Sequence, residues 1–286
     1  MSNPSSKLAL GDFNPDFEPP SLDLIDKIIA LPKAYFNPTF IGLDDLKVDK
    51  PAMYVTNHSL IGALDGTQWV AELYRQKGVF PLSLVDDLHY KVPGWRDLAK
   101  TFGFVKGSRE NCSAMMEAGK SLVVYPGGMR ETVKRHGEAY QLTWKERTGF
   151  ARMAIQHGYD IIPVAQVGNE EAFQLVMDPD EMMDTPFGDW LKEKGFADRF
   201  LKGGEHMFPL VRGIGPTPIP KPEQQFYGFG PRISTSVFDG NTDEDILWKV
   251  RDEVETRLEL LITQLRILKL ESKKGEDGWR KFLNNL

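Results

Sequence analysis

A chain of 286 residues, 41% hydrophobic and 27% charged, carries enough apolar material for one sizeable core and has the ordinary balance of a soluble globular domain. A formal charge of −6 with no basic stripe excludes a nucleic-acid partner and attachment to anionic lipid by bulk charge, so any membrane contact must be apolar and local. The single cysteine, Cys112, excludes a disulfide framework and a multi-cysteine metal site; with no apolar run of bilayer length and no signal-peptide core, the expected location is cytoplasmic.

Residues 1–20, with Pro4, Pro15, Pro19 and Pro20, read as a poorly ordered lead-in. Ser21 then caps an amphipathic helical element over 21–37. Its Leu22, Leu24, Ile25, Ile28, Ile29 and Leu31 recur at helical spacing opposite Asp23, Asp26 and Lys27, and Pro32 ends or kinks it. Two readings of that apolar side stay open: docking on the body, or a peripheral contact at the inner face of a membrane, against which the mixed sign of the polar face counts.

The body, residues 38–270, alternates strands with helices, the signature of an α/β fold with a mostly parallel central sheet flanked by helices. Strands are expected at Phe40–Leu43, Met53–Val55, Phe80–Val85, Phe102–Val105, Ser121–Tyr125 and Ile161–Val167, with late strands at Gln225–Gly230 and Arg232–Val237. Helices follow through Trp69, Val70, Leu73 and Tyr74, after a Pro93-Gly94 turn, over about 110–118, and over Phe150–His157. Residues 178–224, rich in Pro and Gly, read as an irregular excursion with the character of a lid. A long C-terminal helix begins at Asn241–Glu244 and carries Leu247, Val250, Val254, Leu258, Leu261, Leu265 and Leu268 on one side. The charged tail 271–286 is expected to fray.

Chemistry-bearing residues cluster at strand ends, where ligands collect in an open parallel sheet. Asn57 and His58 follow the Met53 strand, and an imidazole there can take a proton from a hydroxyl if a carboxylate fixes its other nitrogen. Lys106-Gly107-Ser108-Arg109 follow the fourth strand. Gly127 and Gly128 follow the fifth, with N–H groups suited to an oxyanion and Arg130 as a neighbouring cation. Taken singly these are a capping His, solvated cations and a turn; the succession is what carries weight. Gly119-Lys120-Ser121 is not a phosphate loop, because Ala114 stands where its first glycine is required. No metal site is expected.

Four blocks in order over residues 53–168 resemble the lysophospholipid acyltransferase family, which includes 1-acylglycerol-3-phosphate acyltransferases and, more distantly, diacylglycerol and monoacylglycerol acyltransferases. Asn57-His58 with Asp65 is similar to the family's His/Asp block, and Gly103-Phe104-Val105-Lys106-Gly107-Ser108-Arg109 to its substrate-binding block. Val124-Tyr125-Pro126-Gly127-Gly128-Met129-Arg130 is similar to its Phe-Pro-Glu-Gly-Thr-Arg block, and Ile161-Ile162-Pro163-Val164-Ala165 to its fourth. The resemblance implies O-acyl transfer from acyl-CoA or acyl-carrier protein, as co-substrate and with no cofactor, to a lipid alcohol, either a lysophospholipid or a neutral glyceride. His58 is then the general base, held by Asp65. Asn57, Lys106, Gly107, Ser108, Arg109, Gly127, Gly128, Arg130 and Glu131 are then substrate-binding residues, with Arg109 and Arg130 on phosphate.

Two departures from the family pattern matter. The usual spacing is His-x4-Asp, but six residues separate His58 from Asp65, and seven positions of continuous helix span about 10 Å. The pair therefore needs an irregular turn over Ser59–Gly62; otherwise Glu131 or Asp86 orients the ring. Gly127 stands where phospholipid-making members carry Glu, and the Pro-Gly-Gly-x-Arg-Glu form is closer to the branch that acylates neutral glycerides. Two other activities remain open: acyl-CoA thioesterase, and a catalytically silent lipid-binding module on the same fold. The lack of a Gly-x-Ser-x-Gly elbow fits direct attack without an acyl-enzyme.

Overall fold

The computed structural model describes residues 10–91, 95–196, 207–275 and 277–286, so the Pro93-Gly94 turn lies outside the described residues. Among the described residues nine strands form, β1 (Thr39–Ile41), β2 (Ala52–Thr56), β3 (Leu82–Val85), β4 (Phe104–Lys106), β5 (Leu122–Val124), β6 (Asp160–Val167), β7 (Gln174–Met177), β8 (Leu210–Arg212) and β9 (Phe226–Phe229). Seven of them make one sheet in the order β1-β9-β6-β2-β5-β3-β4. Pairing is parallel from β6 through β2, β5 and β3 to β4, and only the β6–β9 pair is antiparallel. The C-terminal ends of β2, β4, β5 and β6 therefore share one edge, the position from which such sheets present chemistry.

β2 and β6 are buried along their whole length, which explains why they read as continuous apolar runs without alternation. Met53, Val55, Ile161 and Ala165 pack with the helices Arg109–Glu117, Gly149–Gln156 and Glu244–Ser272 on one face. Tyr54, Ile162 and Val164 pack with Trp69 and Leu73 of the Thr67–Lys77 helix on the other. The long C-terminal helix buries Leu247, Val250, Val254, Leu258, Ile262 and Leu265, so its stripe runs through Ile262 where the leucine pattern suggested Leu261, and Leu268 is exposed. Leu258 has no exposed surface. Its replacement by alanine is expected to cost about 2–5 kcal/mol of stability, read from the urea midpoint.

Several expectations need correction. Residues 10–20 are anchored to the body: Phe13 is buried, its N–H donates to Asn111 Oδ1 at 3.0 Å, and Lys106 N–H donates to the Gly11 carbonyl. Pro32 lies inside the Leu22–Phe36 helix and does not end it. That helix docks Ile25 and Ile29 on Ala71 but leaves Leu22, Leu24, Ile28 and Leu31 exposed, because only one side of its wide apolar face finds a neighbour. The Arg232–Val237 strand does not form; Ile233 makes a single antiparallel bridge to Ile161, and Ser236–Phe238 is a 3₁₀ turn.

The excursion 178–224 is only partly irregular, holding the helices Pro179–Met183 and Pro186–Glu193 and the strand β8, which pairs with β7. The tail also has a structural role. Arg280, in the Gly278–Asn284 helix, donates to the carbonyls of Ala34, Tyr35 and Pro222, so it satisfies the open carbonyl end of the N-terminal helix. Among the described residues no helix is long and apolar enough to cross a membrane.

Candidate active site

The chain leaves β2 at Thr56 and is sewn at once to β6. Asn57 accepts from the Gln166 N–H at 2.9 Å and donates to the Gln166 carbonyl at 3.1 Å, so its buried amide is taken up by the β6 backbone one residue past the end of β2. His58 follows. Its side chain is 17% exposed, its Nδ1 lies 2.8 Å from Asp65 Oδ2, and its ring stacks on Tyr125 with centroids 3.9 Å apart and planes at 12°.

The wide spacing closes because residues 59–66 form no helix. Ile61 (φ 58°) and Gly62 (φ 64°) both turn left-handed, Gly62 N–H returns to the Ser59 carbonyl, and the Thr67–Lys77 helix starts only after Asp65. A β-branched residue in that region costs of order 1–3 kcal/mol. Ile61 is held there by its N–H to the Thr132 carbonyl and by apolar packing of Leu60, Ile61 and Leu64 on Ala172, Phe173, Leu175 and Val211.

Asp65 is 3% exposed and accepts from Ser59 N–H (2.9 Å), Ser59 Oγ (2.6 Å) and Asn169 Nδ2 (3.3 Å) besides the imidazole. Burial pushes its carboxyl up, but the His58 ring and the Ser59 donors outweigh that and hold it below the usual carboxylate range. An ionised Asp65 fixes the His58 proton on Nδ1 and leaves Nε2 as the basic nitrogen. Of the other acids considered, Glu131 meets only the backbone N–H of His58, at 3.4 Å, and Asp86 interacts with His89.

The fifth strand ends at Tyr125-Pro126-Gly127-Gly128. Gly128 turns left-handed (φ 51°) and its N–H is used by the Tyr125 carbonyl, so the expectation that both glycine N–H groups face an oxyanion is corrected: Gly128 closes the turn. Arg147 Nη1 donates to the carbonyls of Pro126 (2.8 Å) and Gly127 (2.6 Å) and fixes the turn from outside. Glu131, fully buried, fills the space over Gly127.

The expected phosphate pair also changes. Arg130 is clamped in both directions by Glu138, at 2.9 and 2.6 Å, and is not open to an anion. Lys106 pairs with Asp87 at 3.3 Å, Gly107 N–H is used by the Val85 carbonyl, and Ser108 caps the Arg109–Glu117 helix. Arg109 is exposed, with no ion pair among the described residues. With Arg147, Glu146, Thr148 and Tyr125 it lines an open depression of about 450 Å³.

Ser59, Asn169, Gln166, Tyr125 and Arg147 were not foreseen as site residues. Asn169 had a legible signal, two residues past the end of β6 on the same sheet edge; Arg147 had none within a stretch crowded with charge. Cys112 is buried, its thiol pushed up to about 11, and has no nucleophilic character. His136, Asp178 and Glu181 bring ligand atoms within 4.8 Å of one another, but Asp178 and Glu181 already form the capping box of the Pro179–Met183 helix.

A family model described as diacylglycerol acyltransferase matches residues 63–247, most of the body with Asp65, the Arg109 block and the Pro-Gly-Gly turn. The chain belongs to the diacylglycerol acyltransferase family. The match identifies a glycerolipid acyltransferase family but not the lysophospholipid branch within it. Among similar proteins, phytyl ester synthase 1 of Arabidopsis thaliana (chloroplastic) is 28% identical over 96% of this chain and 42% of its own length. A DGAT1/2-independent enzyme synthesizing storage lipids from Bos taurus is 28% identical over 76% of this chain and 58% of its own. Diacylglycerol O-acyltransferase 2B of Umbelopsis ramanniana is 27% identical over 49% and 42%. The chain thus spans about half the length of these relatives. No solved structure matches.

Proposed function

We propose that the protein is an O-acyltransferase that moves a fatty acyl group from a thioester donor, acyl-CoA or acyl-carrier protein, to a neutral lipid alcohol. The observation that carries this reading is the His58–Asp65 pair, at 2.8 Å, opening on the C-terminal edge of the sheet beside the Pro-Gly-Gly turn. His58 Nε2 takes the proton of the acceptor hydroxyl as its oxygen bonds to the thioester carbonyl carbon. The C–S bond then breaks, and the imidazolium returns the proton to the departing thiolate. Asp65 stays ionised and balances the imidazolium, while Tyr125 fixes the ring plane.

A neutral acceptor is favoured over a lysophospholipid on two grounds. The phytyl ester synthase and diacylglycerol O-acyltransferase names among the relatives denote neutral products. Arg130, the second cation expected for an acceptor phosphate, is spent on Glu138. Arg109, in the depression next to Tyr125, is left to the phosphates of the donor. Arg109→Ala is expected to raise KM for acyl-CoA about tenfold, the weight of one charge-assisted hydrogen bond, with a smaller change in kcat.

Contact with a lipid surface is supported by the exposed Leu22, Leu24, Ile28 and Leu31, and by a stacked row of exposed rings, Phe187, Trp190 and Phe196.

The test is an acceptor screen with labelled acyl-CoA read by lipid mass spectrometry. Ester formation on diacylglycerols or long-chain alcohols supports the reading. Thiol release that ignores the acceptor marks a thioesterase. Absence of both marks a silent lipid-binding module.

A further inference from the structure

Glu131 is the most conspicuous unexplained group near His58. It stands on the one-turn helix Gly128–Thr132 with 0% exposure, and its carboxyl receives one backbone donor, the His58 N–H at 3.4 Å, on Oε1. Among the described residues Oε2 has no hydrogen-bond partner. That oxygen lies 1.8 Å from where a Cβ on Gly127 would be, so the carboxyl occupies the volume of the missing side chain.

The surrounding charges do not compensate an anion. Lys134 is already paired with Glu170 at 2.8 Å, and Glu170 also receives the N–H groups of Leu60 and Tyr140. Asp65 and Glu170 are further carboxyls acting on the same group, and the Tyr125 phenol on the neighbouring strand end is pushed well above its ordinary range, so it is neutral. A buried carboxylate with one long hydrogen bond is costly, whereas a buried carboxylic acid is tolerated and gains a donor of its own.

We propose that Glu131 is a positioning residue that works as a neutral carboxylic acid, joining the backbone of the catalytic histidine to the Pro126–Gly128 turn. This rests on the acyl-transfer reading. In that chemistry negative charge grows on the thioester carbonyl oxygen, and a second fixed anion beneath the turn would oppose it in a low-dielectric setting. A neutral acid fills the same space without that opposition. The direction of its titration agrees: burial pushes the Glu131 carboxyl up to about 8, against the pull of Lys134 and the His58 N–H, with Asp65 and Glu170 pushing the same way.

The experiment compares wild type with Glu131→Gln, which keeps the shape and a donor but cannot ionise. The kcat/KM of the wild type is expected to fall about tenfold per pH unit above pH 8. In Glu131→Gln that alkaline limb is expected to vanish, whereas Glu131→Ala loses at least tenfold in rate and does not recover it. An alkaline limb that persists in Glu131→Gln overturns the proposal.

A readout independent of turnover is the infrared carbonyl band of a protonated buried carboxyl at pH 7, present in the wild type and missing from its Glu131→Gln difference partner. If no alcohol is acylated at all, the functional reading fails on its own. The infrared difference then still decides whether Glu131 carries a proton, and its absence overturns the proposal.

Discussion

Replacing His58 with alanine is expected to lower kcat for acyl transfer by about 10²–10⁴-fold, the range that a positioned general base contributes. Binding of the donor should change little, because the depression that Arg109 lines with Tyr125 does not include His58. Asp65→Asn should approach the same loss by a different route. An amide at position 65 can donate to Nδ1, which moves the imidazole proton to Nε2 and removes the base without moving the ring.

The two variants separate on stability. Asp65 has a lowered folded-state pKa, so its charged form stabilises the fold at pH above the ordinary carboxylate value, and that contribution is lost as pH falls through the folded value. Asp65→Asn gives up this term and leaves the Ser59 donors without a charged acceptor, so its urea midpoint should fall at pH 7 and converge on wild type in acid. Single-turnover rates and urea midpoints across pH check both. A His58→Ala protein that keeps full turnover removes the proposed base.

Much of this architecture was written in local pattern. β2 and β6 are uninterrupted apolar runs because both of their faces are covered, and the Glu244–Ser272 helix announces itself through leucines at helical spacing. The antiparallel entry of β9 beside β6 could not be read, since Phe226–Phe229 carries no sign of direction, and Arg232–Val237 has strand-like composition but makes only one bridge. His58 and Asp65 were legible as residues, but their meeting depends on Ile61 adopting a conformation that its β-branch resists, held by contacts more than 70 positions away.

Cations were the poorest guides. Arg130 and Lys106 look free in the sequence, yet Glu138 and Asp87 take them, and Arg147, which nothing singled out, ends on the carbonyls of the turn. Charge in a sequence names what could bind an anion; only the fold says which charges are already spent.

Gly127→Ala is expected to be the most damaging single methyl that can be added to the site. The backbone there is ordinary (φ −69°, ψ −23°), so the requirement for glycine is spatial and not conformational. A Cβ at 127 would lie 1.8 Å from Glu131 Oε2 and 2.6 Å from Glu131 Cβ. Rotating the glutamate could clear the first contact but not the second, so the turn itself must shift. Overpacking of this kind costs about 1–3 kcal/mol, and here the shift is passed to His58 through Tyr125 and the Glu131 carboxyl, so kcat should fall with stability.

The double variant Gly127→Ala/Glu131→Gly removes the opposing atoms. It should be less destabilised than the sum of its parts by at least about 1 kcal/mol, even though glycine inside a helix itself costs about that much. Strict additivity in urea denaturation would mean that the two residues do not compete for one space. Coupling of the expected sign would mean that a side chain at 127 and the carboxyl at 131 are mutually exclusive. The missing side chain at 127 is then the space required by the Glu131 carboxyl, which is supplied from one helical turn further along.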